Sequence, residues 1–538
     1  MGQSRDDDHI YNVSVEAREK PMEFIRAKGK EIYAGKEILQ LRGFGLGGWF
    51  LPEGYMWKFS ASGDRPRRME AMIEKLCGKN YAETFWQSYL DYYITEKDID
   101  FIAKEGFNSV RLPLNARHLY ERENQKLILN QDMFARIDQL IEWCRRHQIY
   151  VILDMHGAPG GQTGQNIDDS EADQPYLFME QRYEEELIFL WRELAKRYCN
   201  DKTVAGYDLL NEPLPNFFQQ YNHKVLPLYR KLIQEIREID RNHMIILEGV
   251  HWATNFSIFE PFTKEEAADN MMLQFHKYWN NPDAESIQDF ILWADKLNTP
   301  LFMGEGGENN YDWYTTVFPL YERLNISWSF WSYKKMECDN SPITFTIPMG
   351  WSELTGWMEG KGEMTQERAI IILDRFLQSI RNSKVNEGVL HAIKREIPVK
   401  IPCEAYQEFS IVSKRVPGAK LRITDPVSLI FEDGRTNEVD YRRFSGEKQP
   451  DEENIMVQLF SGDRISYLFH AKQEEVRVTI SAEGEGILMV SIGSENINIS
   501  VKCRRKYVAV LKIKPQETQW IWLSCVEGNL KVDDIVLE

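Results

Sequence analysis

Eight residues share a position type. Arg111, His156, Asn211, Glu212, His276, Tyr278, Glu305 and Trp331 are polar or aromatic, and each stands where a short apolar run stops. Singly, each has an ordinary explanation: Arg111 a solvated end, His156 a satisfied core histidine, Glu212 before Pro213 a turn acid. Together, at matching ends of successive runs, they point to one mouth. Two are carboxylates, Glu212 and Glu305. A pair of carboxyl groups facing across a cavity is what glycosidic cleavage needs: one protonates the leaving oxygen, the other meets the positive charge developing at the anomeric carbon. Glu305 directly follows Gly304 at the end of its run, which favours it over Glu308. Asp154, one side-chain alternation before His156, reads as a buried partner of a neighbouring strand, and Glu248 as a buttress. The acidic stretch Asp168-Asp169-Ser170-Glu171 reads as a solvated loop, while Trp49, Trp252 and Trp279 fit sugar stacking and core capping equally. A metal-dependent hydrolase built on Asp154, His156, His276 and Glu305 is disfavoured, because no His-x-His pair stands on the first strand. Neither a metal nor another cofactor is expected.

The elements that must position these groups repeat from about Leu41 to Ser383: a β-branched apolar run, a polar or Gly-bearing turn, then an amphipathic stretch of helical period. The runs begin near Leu41, Phe107, Tyr150, Val204, His243, Asn270, Pro300 and Ile326. Interiors such as Val151-Ile152-Leu153 are continuously apolar, as parallel strands covered on both faces require. Thr95 and Asp98 form a helix cap before Ile99, and Gly106 closes that helix. Phe134, Ile137, Leu140, Ile141 and Cys144 make one helical stripe; Leu187, Leu190, Trp191, Leu194 and Tyr198 make another. Eight such units predict an α/β fold, a (β/α)8 TIM barrel whose reactive groups stand at the carboxyl ends of its strands. The competing open doubly wound sheet would announce a phosphate-binding turn, and Gly43, Gly45, Gly47 and Gly48 fit no G-x-G-x-x-G pattern. Long inserts at residues 51–86 and 336–365 would wall the cleft into a pocket.

Past about Arg395 helical periodicity gives way to short alternating segments near residues 421–424, 427–431, 455–460, 476–480, 486–492, 497–501, 507–513, 520–524 and 532–537. Turns rich in Gly, Asn and Asp separate them, which predicts an antiparallel β-sandwich. The expected organisation is an amino-terminal arm at 1–35, a catalytic barrel at 36–385, a charged linker within 382–399 and the sandwich at 395–538.

Composition narrows the partners. The 538 residues carry 65 basic and 83 acidic side chains, a net charge of −18. A surface this acidic repels nucleic acid and anionic membranes. The seven cysteines never fall in a Cys-x-x-Cys spacing, against both a disulfide framework and a zinc site. The first ten residues are polar, so neither a signal peptide nor a membrane span is read, and the expected location is cytoplasmic, or secreted if a leader has been removed. The sequence does not indicate an oligomeric state.

From Leu41 to Trp331 the chain resembles glycoside hydrolase family 5. The resemblance is carried by Leu41-Arg42-Gly43 with Gly47-Gly48-Trp49, Phe107-Asn108-Ser109-Val110-Arg111-Leu112-Pro113, Asp154-Met155-His156-Gly157-Ala158-Pro159-Gly160, Leu210-Asn211-Glu212-Pro213, His276-Lys277-Tyr278, Gly304-Glu305 and Trp328-Ser329-Phe330-Trp331. It implies Glu212 as general acid and base, Glu305 as nucleophile, Asn211 on the sugar 2-hydroxyl, Arg111 and Tyr278 against Glu305, His156 and His276 lining the subsite, and Trp331 as its floor. The run from His156 to Gly164 with Asn166 is similar to the exo-β-1,3-glucanase and β-glucosidase branch, whereas Lys277 and Gly306-Gly307-Glu308 depart from it. The sandwich resembles family 6 carbohydrate-binding modules through Cys403-Glu404-Ala405-Tyr406 and residues 529–535, and is read as buttressing the barrel. The expectation is a retaining β-glycosidase acting from the non-reducing end on β-linked glucosides or short β-glucans. An endo-β-glucanase or a mannan-type specificity is the alternative within the family, and a non-catalytic glycan-binding protein the alternative outside it.

Overall fold

A computed structural model describes residues 21–124, 126–441, 451, 453–514 and 516–538. The first 20 residues of the expected arm lie outside the described residues. Eight strands, β1 (Arg42–Gly45), β2 (Ser109–Asn115), β3 (Tyr150–Gly157), β4 (Val204–Asp208), β5 (Met244–Glu248), β6 (Met271–His276), β7 (Leu301–Gly307) and β8 (Ser327–Trp331), close into a parallel barrel. Each starts within two residues of the apolar run that predicts it. Their continuous burial explains the unbroken apolar runs: helices cover the outer face and facing strands fill the interior.

Residues Ile25–Lys28, Glu31–Ala34 and Glu37–Leu39 form a three-stranded antiparallel sheet. Its Ile25 and Ile32 pack with Tyr150, Ile152, Met244, Ile246, Met272 and Phe302, residues at the amino ends of the barrel strands. The barrel is thus plugged at its bottom and open at its top. There the two long inserts pack against each other. Phe59 stacks on Trp351 at 5.3 Å and 6°, Trp57 lies 4.3 Å from Phe376, and the Trp351 indole N–H donates to the Trp57 carbonyl at 2.8 Å.

The expected linker is not loose chain. Residues Glu387–Lys394 form a helix packed on the helix Tyr311–Arg323 that follows β7. Its apolar face, Val389, Leu390 and Ile393, is buried, a signal masked in the sequence by flanking charges. Arg395 ends this helix fully buried, donating to the carbonyls of Thr315 (2.6 Å) and Ala405 (2.8 Å) and to the Gln407 side chain (2.8 Å).

The carboxyl-terminal unit is one curled antiparallel sheet of β9 (Val399–Pro402), β10 (Glu408–Ser410), β11 (Ser428–Phe431), β12 (Ile455–Phe460), β13 (Arg464–Ala471), β14 (Glu475–Ile492), β15 (Glu495–Val501), β16 (Arg505–Lys512) and β17 (Gln516–Leu537). Two pairs of expected strands fuse into the long β14 and β17. Glycines permit the fusion: a side chain on Gly486 or Gly528 would sit 2.0 Å from the carbonyl of Glu527 or Glu485 across the pair. β13 was missed, and residues 421–424 are a turn in which Leu421 is buried. Trp520 and Trp522 share an outward face, Trp520 at 37% exposure, while Ile521 and Leu523 between and beside them enter the core. All seven cysteines are unpaired.

Candidate active site

Arg111 is the hub. It sits fully buried on β2 and donates through Nη1 to Glu305 Oε1 (2.6 Å), through Nε to Asp208 Oδ2 (2.9 Å), and through Nη2 to Asn211 Oδ1 (2.8 Å) and Glu248 Oε1 (3.1 Å), with Asp154 Oδ1 at 3.2 Å. A guanidinium out of water is costly unless its donors are satisfied. Burial alone would lower its pKa, and the surrounding carboxylates drive it well above the ordinary value instead.

Glu305 takes its place from a register break. Phe275 pairs with Met303, but His276 pairs with Glu305, so one residue, Gly304, is extra on β7. Gly304 must be glycine, since a Cβ there would lie 2.2 Å from the Gln274 amide carbon. Tyr278 donates its hydroxyl to Glu305 Oε2 at 2.6 Å; His276 Nδ1 is 3.6 Å from the same oxygen and His156 Nδ1 3.8 Å from Oε1. Burial pushes the Glu305 carboxyl up, but the positive charges of His276, Arg111 and His156 and the Tyr278 hydrogen bond outweigh it, leaving its pKa lowered.

Glu212 follows β4 with left-handed backbone, φ 45°. Its N–H donates to Glu248 Oε2 at 2.6 Å and its Oε1 meets His276 Nδ1 at 2.7 Å. Burial raises its pKa, opposed by His276 and reinforced by Glu305 and Glu248. Oxygens of Glu212 and Glu305 and a nitrogen of His276 lie within 4.8 Å of one another. Such a spacing could bridge a cation. Here both Glu305 oxygens already accept from Arg111 and Tyr278, and the Glu212 oxygen meets His276, so these groups are satisfied among themselves.

Trp331 lies flat against His156, ring centres 5.2 Å apart at 8°, and Asp154 holds His156 Nδ1 at 2.8 Å. Against burial, Asp154 and Glu305 lift the His156 pKa to about 9. Gly45 and Gly47 make room for the indole: a Cβ on either would approach it to 2.6 or 2.7 Å. The indole N–H donates to the Tyr55 hydroxyl (3.2 Å), which donates to Glu308 Oε1 (2.9 Å), which also receives the buried Lys335 ammonium (2.7 Å). Glu53, 3% exposed, completes the wall, and burial pushes its carboxyl up to about 8.

The structure brings all eight expected residues to this mouth. Asp154 and Glu248 are buried partners, as read. The stretch at Asp168 is not solvated: Asp168 is 1% exposed and accepts from Thr163, Gly164 and Ser170, and Asp169 bonds Asn115 and Arg117, so both pin the loop after β3. Of the three undecided tryptophans, Trp49 is core, its indole donating to the Leu90 carbonyl, while Trp279 is 37% exposed. Sequence reasoning missed Asp208, Gln274, Glu53, Tyr55 and Lys335. Gln274 underlies the site, its amide nitrogen reaching Asp208 (3.0 Å), His276 Nε2 (3.0 Å) and Glu248. A readable signal existed for two of them: Asp208 and Gln274 are polar residues inside otherwise buried parallel strands, where a partner is obligatory.

A closed parallel barrel carrying a partnered carboxyl pair at the carboxyl ends of strands four and seven is the architecture of a glycoside hydrolase. The family is narrower. Residues 74–337 match Cellulase (glycosyl hydrolase family 5), and the chain carries a domain of that retaining family. It is 28% identical over 349 residues to a beta-xylosidase of Phanerodontia chrysosporium, covering 58% of this chain and 71% of the relative. It is 25% identical over 313 residues to endoglucanase C of Acetivibrio thermocellus (47% and 88% covered), and 28% identical over 243 residues to a probable glucan 1,3-beta-glucosidase A of Emericella nidulans (44% and 57%).

Proposed function

We propose that the protein hydrolyses β-glucosides or short β-glucans from the non-reducing end by double displacement, with Glu305 as nucleophile and Glu212 as acid and base. The carrying observation is the carboxyl pair itself: oxygens within 4.8 Å of one another match the short separation of a retaining pair, about 5–5.5 Å, rather than the roughly 6.5–9.5 Å of an inverting one, and the two pKa values are driven in opposite directions. Glu305, ionised and held by Arg111 and Tyr278, attacks the anomeric carbon while Glu212 gives its proton to the departing oxygen. In the covalent intermediate the Glu305 charge is gone, the Glu212 pKa falls, and Glu212 accepts the proton of the water that releases the sugar. The amide nitrogen of Asn211 has no partner among the described residues, which suits it to the sugar 2-hydroxyl. Trp331, braced by the His156 ring stacked on it, supplies an aromatic face for the sugar ring.

Support for exo action comes from the two inserts, which pack together through Trp57, Phe59 and Trp351, backed by Phe376 on the helix that follows the second insert, and wall the β8 and β1 side of the mouth. Glu53 stands on that same insert as a hydrogen-bonding group for hydroxyls of a terminal sugar. The test is a panel of aryl β-glycosides (glucoside, xyloside, mannoside, galactoside, cellobioside) followed by NMR of the first-formed anomer, with products of laminari- and cello-oligosaccharides measured alongside. Net retention with monosaccharide released from the glucoside and oligosaccharides is expected. An inverted first product refutes double displacement, and random internal cleavage refutes exo action.

A further inference from the structure

The loops after β4 and β5 carry a concentration of backbone cost that the proposed mechanism leaves unused. Glu212 (φ 45°), Leu214 (φ 53°) and then three consecutive residues, His251, Trp252 and Ala253 (φ 56°, 55° and 57°), are all left-handed, and none is glycine. L-residues pay for each such conformation, and consecutive ones persist only where surrounding contacts impose them. The contacts are visible. The His251 N–H donates to the Leu214 carbonyl at 2.8 Å, two residues beyond Glu212, and Val250 and Asn255 exchange backbone hydrogen bonds across the base of the turn. His251, whose pKa burial lowers, bonds through Nε2 with the Asn222 amide at 3.1 Å, so the segment Asn216–Lys224 after β4 is tied to the same turn.

The product of this bracing is an aromatic pair. Trp252, held by the left-handed turn, meets Phe217 edge to face at 6.2 Å, and Phe217 leans on Phe218 at 5.0 Å. Phe217 is nevertheless 56% exposed, although the core is adjacent through Phe218. Packing alone does not call for an exposed phenylalanine on a strained frame.

Direction follows from the chemistry. Trp331, His156 and Glu53 occupy the side of the mouth built by β8, β1 and β3, where the glycon ring would rest. Glu212 must face the bond's leaving oxygen, so the leaving group extends toward the loops of β4 and β5, the loops that present Phe217 and Trp252.

Resting on the proposed glycosidase reading, we propose that Phe217 and Trp252 form a stacking platform for the leaving group and select substrates whose leaving group presents a flat apolar ring face. A sugar and an aryl aglycone share that chemistry. The full chain and its Phe217→Ala and Trp252→Leu variants would be assayed for kcat/KM on three substrates of one glycon: the glycosyl fluoride, which has no ring to stack, an aryl glycoside and a disaccharide. Melting curves establish that both variants are folded, and truncating the exposed Phe217 leaves no cavity. The expected result is that kcat/KM relative to the fluoride falls about tenfold for a ring-bearing leaving group, one decade of transition-state binding. A fall confined to the aryl substrate assigns the platform to aryl aglycones; one confined to the disaccharide assigns it to sugars. Ratios that do not move, or fluoride turnover falling in step with the others, overturn the platform. Absence of turnover of all three substrates by the parent chain refutes the glycosidase reading instead.

Discussion

Glu53 offers the sharpest test of the electrostatics. It is a carboxyl 3% exposed, and burial places its pKa near 8 against an ordinary 4.5. A raised carboxyl pKa means that the folded protein keeps a proton the unfolded chain has already released. The stabilising effect of that proton is complete below pH 4.5 and is lost as pH rises through about 8. At about 1.4 kcal/mol per decade, the interval corresponds to about 5 kcal/mol. Glu53→Gln keeps the shape and removes the titration. Its stability relative to the parent should therefore be flat below pH 4.5, climb through the window and level off above pH 8. If the barrel melts as one unit of about 340 residues, with an unfolding entropy of about 2.1 cal/mol/K per residue, the relative Tm moves by roughly 7 °C. Calorimetry or circular-dichroism melts at pH 5, 6.5 and 8.5 measure it. A Tm difference identical at pH 5 and 8.5 would refute the reasoning, because a packing effect of the substitution carries no such pH dependence.

Glu305→Ala should fold and lose at least about 10³-fold in kcat. Glu212→Gln should lose most on substrates with poor leaving groups and least on activated aryl glycosides, which need little protonation; equal losses across leaving groups would contradict its assignment as acid. The kcat/KM profile should be bell-shaped, its acid limb set by Glu305 ionising below the usual carboxylate range and its alkaline limb by Glu212 losing its proton above it. Tyr278→Phe removes a hydrogen bond that favours the charged form of Glu305, so the acid limb should move to higher pH. Gly47→Ala puts a methyl 2.7 Å from the Trp331 indole and should cost about 1–3 kcal/mol, with KM for β-glycosides rising as the floor tilts.

The sequence made the barrel legible because parallel strands buried on both faces leave continuous apolar runs, and all eight observed strands begin within two residues of theirs. The first ring of the site was legible for a related reason: a polar residue ending such a run has only the mouth to face. The supporting groups were less so. Asp208 and Gln274 looked like interruptions of a run, and only the barrel's closure shows that both reach the partners of Arg111. Glu53 and Tyr55 lie in the first insert and Lys335 just before the second, stretches with no period to read, where position is set by tertiary packing alone. In the carboxyl-terminal unit, glycine was read as a strand break, whereas Gly484, Gly486 and Gly528 are points where two backbones pass too closely for any side chain.

That close passage has a mechanical consequence. β17 pairs with β13 along its first half and with β12 and β9 along its second, while β14 follows it through both halves. The two faces of the sheet are therefore written on the same pair of ribbons rather than stacked from separate ones. Neither face can peel away while the other stays folded, and a load entering at Arg395 from the barrel is shared along both ribbons. Under force, or in hydrogen exchange, this unit should open all at once, with the amides of β14 and β17 exchanging as a single cooperative block.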